Sequence, residues 1–197
     1  MSTVGFLINP LSGRIRNRMD TVRAAITTAS PRREVTDLAD IRSATRELIE
    51  SGSDVLAIIG GDGTVQAVLT ELMLSGQTWP EVAVIPGGTT NMTAIDLHGR
   101  LSVTQAISAA LRQSARASGE RARVQRPLVE VCLPQAQRQY GFCLSSCAVI
   151  AGMEHFQKNV RSRGLRDELS ASISVMRGFI GLARGERAWT EIADTEY

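Results

Sequence analysis

The strongest constraint on this chain is a set of short apolar runs, each ending in a turn rich in glycine, proline or asparagine. VGFLI (Val4 to Ile8) leads into Asn9-Pro10-Leu11-Ser12-Gly13, and DVLAII (Asp54 to Ile59) into Gly60-Gly61-Asp62-Gly63-Thr64. VAVI (Val82 to Ile85) leads into Pro86-Gly87-Gly88-Thr89-Thr90-Asn91. A strand that is apolar at almost every position is buried on both faces, the mark of a parallel sheet covered by helices. The segments between the runs have helical spacing: Met19, Val22 and Ile26 in one, Ile41 to Ser51 in another, Val65 to Leu74 in a third. A further helix is expected from about Ser102 to Ser114, and Arg33 to Leu38 reads as the remaining strand. Such alternation implies crossover units, and therefore a three-layer α/β domain with a mainly parallel sheet.

Composition removes several alternatives. With 197 residues and 43% hydrophobic side chains the chain can bury a core, which argues against disorder. Lys158 is the only lysine, so a phosphate loop of the Gly-Lys-Ser/Thr type is absent. The amino end, MSTVGFLINPLSGR, has no basic segment followed by a long apolar one, and a cytoplasmic location is expected. SISVMRGFIGLA is too short to span a bilayer and contains Arg177, so it reads as a buried or half-buried helix. Cys143, Cys147 and His155 offer too few ligands for a metal site, and the three cysteines are expected to be buried, reduced thiols. Aromatic residues make up 4% and no stacking motif accompanies the arginines, which argues against nucleic acid.

The pattern changes near Ser118-Gly119. RARVQRPLVEVCLP and RQYGFCLSSCAVI read as two strands joined by a polar turn at Pro134 to Arg138, a hairpin opening an antiparallel second domain. Glu154 to Val160 and Glu168 to Ala183 look helical, and Arg187 to Ile192 could open another strand. The expected organisation is an α/β domain over residues 1–118 and an incomplete β-rich domain with a helical insert over residues 121–197.

In an open parallel sheet the turns leaving the carboxyl ends of the strands share one edge, where ligands bind. Glycine permits close backbone approach, and a helix starting after the turn aims unpaired N–H groups at its contents, so this edge suits phosphates. Each turn also has a plainer reading: a tight connection, Thr64 as a helix cap, Asp62 as a turn residue bonding its own backbone. An acidic residue among phosphate-facing amides fits if Mg2+ is held there through the phosphates, or if Asp62 accepts a proton from a hydroxyl nucleophile.

Asn9-Pro10-x-Ser12-Gly13, Gly60-Gly61-Asp62-Gly63-Thr64 and Pro86-x-Gly88-Thr89-x-Asn91, in this order and spacing, resemble the catalytic domain of the diacylglycerol kinase family. That family includes bacterial lipid kinases and the sphingosine and ceramide kinases, and NAD kinases and phosphofructokinases share the Gly-Gly-Asp-Gly feature more distantly. The resemblance covers roughly Met1 to Ser118, and the later hairpin resembles the start of the family's β-sandwich domain.

The resemblance implies ATP- and Mg2+-dependent phosphoryl transfer to a lipid hydroxyl such as that of diacylglycerol. It implies a nucleotide contacted by Asn9, Pro10, Ser12, Gly13, Thr36, Gly60, Gly61, Asp62, Gly63, Thr64, Val65, Gln66, Gly88, Thr89 and Asn91. Asp62 would be the catalytic residue, acting through metal or as base, a role that the sphingosine kinase branch assigns to this position. The implied partners are ATP and a lipid; the arginines between Arg112 and Arg126 and from Arg161 to Arg166 suit peripheral membrane contact, and equally an ordinary solvated helix face and linker, and a homodimer is a further expectation. Two departures from the family pattern stand out: Met92 where an acid usually follows the asparagine, and Gln66 and Ala67 where an acid follows the threonine. Family chains are commonly longer, so this one reads as a fragment or a shortened protein, lacking the late region that holds the general base proposed for bacterial members. A nucleotide-binding module without turnover, and a kinase of a soluble substrate such as NAD, remain open alternatives.

Overall fold

The computed structural model describes residues 2–76, 78–132 and 138–142. They lie in one compact unit, Met1–Phe142. The expected strand and helices after residue 142 fall outside the described residues, as do Cys143, Cys147, His155 and Arg161 to Arg166.

Four parallel strands, β1 (Val4–Ile8), β2 (Arg32–Glu34), β3 (Val55–Gly60) and β4 (Glu81–Pro86), form a sheet in the order β2-β1-β3-β4. Every residue of β1 and β3 is buried, as their unbroken apolar sequences require. Alternate side chains feed two cores. Leu7, Leu56, Ile58 and Val84 pack with α2 (Leu38–Glu50) and α3 (Asp62–Ser75) on one face. Phe6, Ile8, Ala57, Ile59 and Ile85 pack with α1 (Met19–Ala25) and α5 (Val103–Ser114) on the other. The three-layer α/β architecture expected from the sequence is the one observed.

Three local departures have physical causes. The second strand is shorter than Arg33 to Leu38, because Asp37 caps α2 by accepting the Asp40 amide at 2.8 Å, which starts the helix at Leu38. The third helix starts at Asp62 rather than Val65, with Gly61 as its N-cap and no side-chain cap, so Thr64 sits inside the first turn and is not the cap. A seven-residue helix, α4 (Met92–His98), occupies sequence too short to show a period. The start of α5 is conventional, with Ser102 and Gln105 forming a capping box.

Beyond α5, Arg121 is almost buried and ties its segment back to the sheet through Glu81 at 3.2 Å, the Ser114 carbonyl at 3.3 Å and the Ser2 hydroxyl. Arg123 also pairs with Glu81 at 2.6 Å, and Arg126 with Asp96 at 2.8 Å. Much of this arginine-rich stretch is therefore engaged in ion pairs. The expected hairpin exists as two antiparallel three-residue strands, β5 (Val129–Val131) and β6 (Gln139–Gly141). Cys132, just after β5, is exposed, contrary to the buried thiol expected, because a two-stranded ribbon has too little mass to cover it. Among the described residues, no helix is long and apolar enough to cross a membrane.

Helices α2 and α3 are joined by a nearly buried carboxylate. Glu71 accepts from Arg46 at 2.6 and 2.7 Å, with Arg42 3.8 Å away. Arg46→Ala should lower stability by about 2 kcal/mol, because it leaves that carboxylate in a dry environment with only the longer contact. Urea unfolding checks this; a midpoint equal to that of the parent would show that solvent replaces the guanidinium at no cost.

Candidate functional site

Strand register places Ile8 beside Ile59 and Ile59 beside Ile85, so the three glycine-containing turns leave the sheet at one level. Helix α1 follows β1 onto one face, while α3 follows β3 onto the opposite face. The chain direction thus diverges between β1 and β3, the position where open α/β sheets hold ligands.

Hydrogen bonds join the turns across this point. The Asn9 amide donates to the Ile59 carbonyl at 2.9 Å, and Asn9 Nδ2 donates to Thr64 Oγ1 at 2.9 Å. Asn9 Oδ1 accepts the Leu11 amide at 3.0 Å and so shapes its own turn. The third turn lies against the other two. Arg14 N donates to the Gly87 carbonyl at 3.0 Å, while Gly87 N and Gly88 N both donate to the Gly60 carbonyl, at 2.8 and 3.0 Å. A Cβ on Gly88 would stand 2.4 Å from Gly61 Cα, and one on Gly13 would stand 2.7 Å from Thr89 Oγ1. Only glycine permits the first of these backbone approaches.

Asp62 has a role that its sequence position does not disclose. Its two carboxylate oxygens accept the amides of Met92 and Thr93, at 3.0 and 2.9 Å, which are the first two of α4. The N-cap residue of that helix, Asn91, is turned the other way. It is 2% exposed, has φ of 54°, and closes its own turn by accepting from Gly88 N and donating to Gly88 O, both at 2.7 Å. Asparagine tolerates this left-handed conformation better than most residues. Asn91 thus holds the turn, and Asp62 caps the helix from a distance, where a negative charge is favoured by the helix dipole.

The remaining residues divide. Ser12 is buried and its carbonyl accepts the Ile15 and Arg16 amides, at 3.2 and 3.0 Å. Pro10 and Thr89 are half-buried, and Gly63 is exposed. Val65 is buried in the core beneath α3, so its side chain serves packing. Gln66 is exposed and donates to Gln139 of the hairpin at 2.9 Å. Thr36 gives its amide and hydroxyl to Asp40 Oδ2, at 3.1 and 3.0 Å, and these bonds hold the Asp40 carboxyl below its ordinary range. Beside the first turn lies a cavity of about 500 Å³ lined in part by Gly13, Arg14, Asn17, Arg18, Pro86 and Ser102. The amides of Arg14, Met92 and Thr93 carry no signal in the sequence, because a main-chain donor is common to every residue type but proline.

Among the described residues no three His, Cys, Asp or Glu side chains come together to hold a metal. The single carboxylate of Asp62 fits Mg2+ only as one ligand of an ion carried by phosphates, the usual way this ion is held beside nucleotides.

The model of the diacylglycerol kinase catalytic domain matches residues 3–119, more than half of the chain. The chain belongs to that family. Among solved structures, this diacylglycerol kinase family member is similar to a diacylglycerol kinase from Bacillus anthracis str. Sterne, with 23% identity and a TM-score of 0.48, over 56% of this chain and 40% of that one. A second structure from the same organism matches with the same identity and TM-score, over 57% and 40% of the two chains. The chain thus spans 40% of the length of these two structures. No curated protein matches it.

Proposed function

We propose that the three turns bind the polyphosphate of ATP and that the protein transfers the γ-phosphate to a lipid hydroxyl of the diacylglycerol type. The observation that carries this reading is the locked rim: two backbone turns in glycine-to-glycine contact, a third tied to both, and one carboxylate at their junction. Membership of a kinase family supports the use of ATP. Phosphoryl transfer asks little covalent chemistry of a protein, chiefly positioning and charge neutralisation. The hydroxyl oxygen forms a bond to the γ-phosphorus, the bond to the bridging oxygen breaks, ADP leaves, and the hydroxyl proton goes to a base.

In this reading the backbone amides of Gly61 to Gly63 and the hydroxyl of Thr89 hold and orient the phosphates, while the Thr64 amide closes the turn on the Gly61 carbonyl at 2.9 Å. Each Asp62 oxygen accepts one amide and retains further acceptor capacity for a cation or a hydroxyl proton. Magnesium bound with the nucleotide would neutralise phosphate charge. Residues 1–118 form the nucleotide-binding domain, and residues 121–197 open the domain that selects the lipid, which we place at a membrane surface reached peripherally.

Two measurements test the proposal. Calorimetric titration with ATP, with and without Mg2+, should show saturable binding strengthened by the metal. Incubation with γ-labelled ATP and diacylglycerol in mixed micelles should then label the lipid. A folded protein that gives no heat at millimolar ATP sinks the nucleotide assignment, and label reaching only a soluble acceptor such as NAD overturns the lipid assignment.

A further inference from the structure

One stripe of α3 carries three polar residues four positions apart, Asp62, Gln66 and Thr70, which share a face of the helix. Asp62 holds α4. The other two hold the β5–β6 hairpin: Gln66 Nε2 donates to Gln139 Oε1 at 2.9 Å, and the Thr70 hydroxyl both accepts Tyr140 N at 3.0 Å and donates to Tyr140 O at 3.3 Å. In this way one side chain meets both backbone groups of a strand residue, much as a neighbouring strand would. Tyr140 is 8% exposed, and Leu128 and Phe142 pack against the same core as α3. The hairpin is itself braced by Tyr140 Oη donating to Glu130 at 2.6 Å and by Arg138 at 3.1 Å from the same carboxylate.

The first turn of α3 is where the glycine turns meet, through Thr64 to Asn9 and through Asp62 to α4. Thr70 lies roughly 12 Å further along the helix axis from Asp62, at 1.5 Å per residue. A helix end that carries two anchors for other loops must be held against sliding and rotation, and hydrogen bonds, which weaken steeply off their preferred distance and angle, add a directional restraint to the packing of the helix. We propose that the β5–β6 hairpin is a positioning clamp for the phosphate rim, in which Thr70 and Gln66 fix the placement of α3 and hence of Asp62 and Thr64. Gln66 then serves as a positioning residue through Gln139.

The ligand readout rests on the ATP-binding reading above; the amide-exchange readout does not. Thr70→Val keeps the shape and removes the hydroxyl, Thr70→Ser restores it, and Gln139→Ala cuts the second contact from the hairpin side. In the full chain, Thr70→Val should weaken ATP binding about tenfold, as small misplacements at a positioned site do, while Thr70→Ser stays near the parent. Without nucleotide, exchange of the hydrogen-bonded amides of Thr64, Met92 and Thr93 should accelerate about tenfold in Thr70→Val, on the scale of local opening. If only residues 139–142 exchange faster, while the rim amides and ATP affinity are unchanged, the hairpin is mere cover and the clamp is overturned. Equal loss in Thr70→Val and Thr70→Ser overturns it too, since the hydroxyl would not be the agent. Should Thr70→Val not fold, Gln139→Ala gives the same two comparisons, with Gln139→Glu, which keeps the acceptor oxygen at the same reach, in place of the serine variant. A parent protein that binds no ATP counts against the proposed function, and the exchange result alone then decides the clamp.

Discussion

Gly88→Ala should cost at least about 3 kcal/mol of stability, the upper part of the range for overpacking, and abolish ATP binding. The added Cβ would stand 2.4 Å from Gly61 Cα and 3.1 Å from Asn91 Oδ1. The nearest obstacle is backbone, which cannot rotate away as a side chain can. Neither turn can retreat without losing bonds, because Gly87 and Gly88 both donate to the Gly60 carbonyl and Asn91 clasps Gly88 from both sides. Denaturant unfolding and calorimetric titration read the two effects. Gly63→Ala supplies the contrast, for nothing lies within 4 Å of a Cβ built there, and the position is helical. It should be stabilising by up to about 1 kcal/mol, the ordinary difference between alanine and glycine in a helix. If Gly88→Ala were as stable as the parent, the contact between the turns would not be the constraint described here. If Gly63→Ala folds yet loses ATP, the phosphates approach that backbone directly.

Asp62→Asn should have the second large effect. The substitution removes the charge and presents one N–H group to a helix end that offers only N–H groups, so at least one of the Met92 and Thr93 amides loses its acceptor. An amide left without a partner costs about 1–3 kcal/mol, and the loss of a favourable charge at the helix start adds about 0.3–1 kcal/mol. Amide exchange at Met92 and Thr93 should accelerate in the absence of any ligand. ATP affinity measured with Mg2+ should fall at least about tenfold, the equivalent of about 1.4 kcal/mol. A variant with normal rim protection and normal ATP affinity that fails only in phosphate transfer would assign Asp62 to chemistry alone and remove the anchoring role from the account of the site.

How far these features were legible from the sequence depended on the range of the interaction. β1, β3 and β4 were readable because burial on both faces leaves an unbroken apolar run, and their shared rim followed from parallel topology. β2 is shorter than its sequence suggests, because Val35 continues the strand pattern while Asp37 already caps the next helix. The start of α3 was hidden by Gly61 and Gly63, which read as turn, although Asp62 already has helical geometry. The anchor between Asp62 and α4 bridges 30 positions and ends on main-chain amides, so no residue type at positions 92 and 93 could advertise it. Thr70 was equally silent, a small polar residue within an apolar helical period whose partner lies 70 positions away.

The cap supplied by Asp62 also bears on which sequences can host such a rim. Because the recognised groups belong to the main chain, every amino acid except proline carries the required donor at positions 92 and 93. Met92, among the more exposed large apolar residues at 58%, serves the carboxylate with its backbone alone. Side chains at these two positions are therefore released from the task of holding the helix. They are free to drift, or to be recruited to whatever passes over the rim, while the architecture depends on a single carboxylate thirty residues upstream.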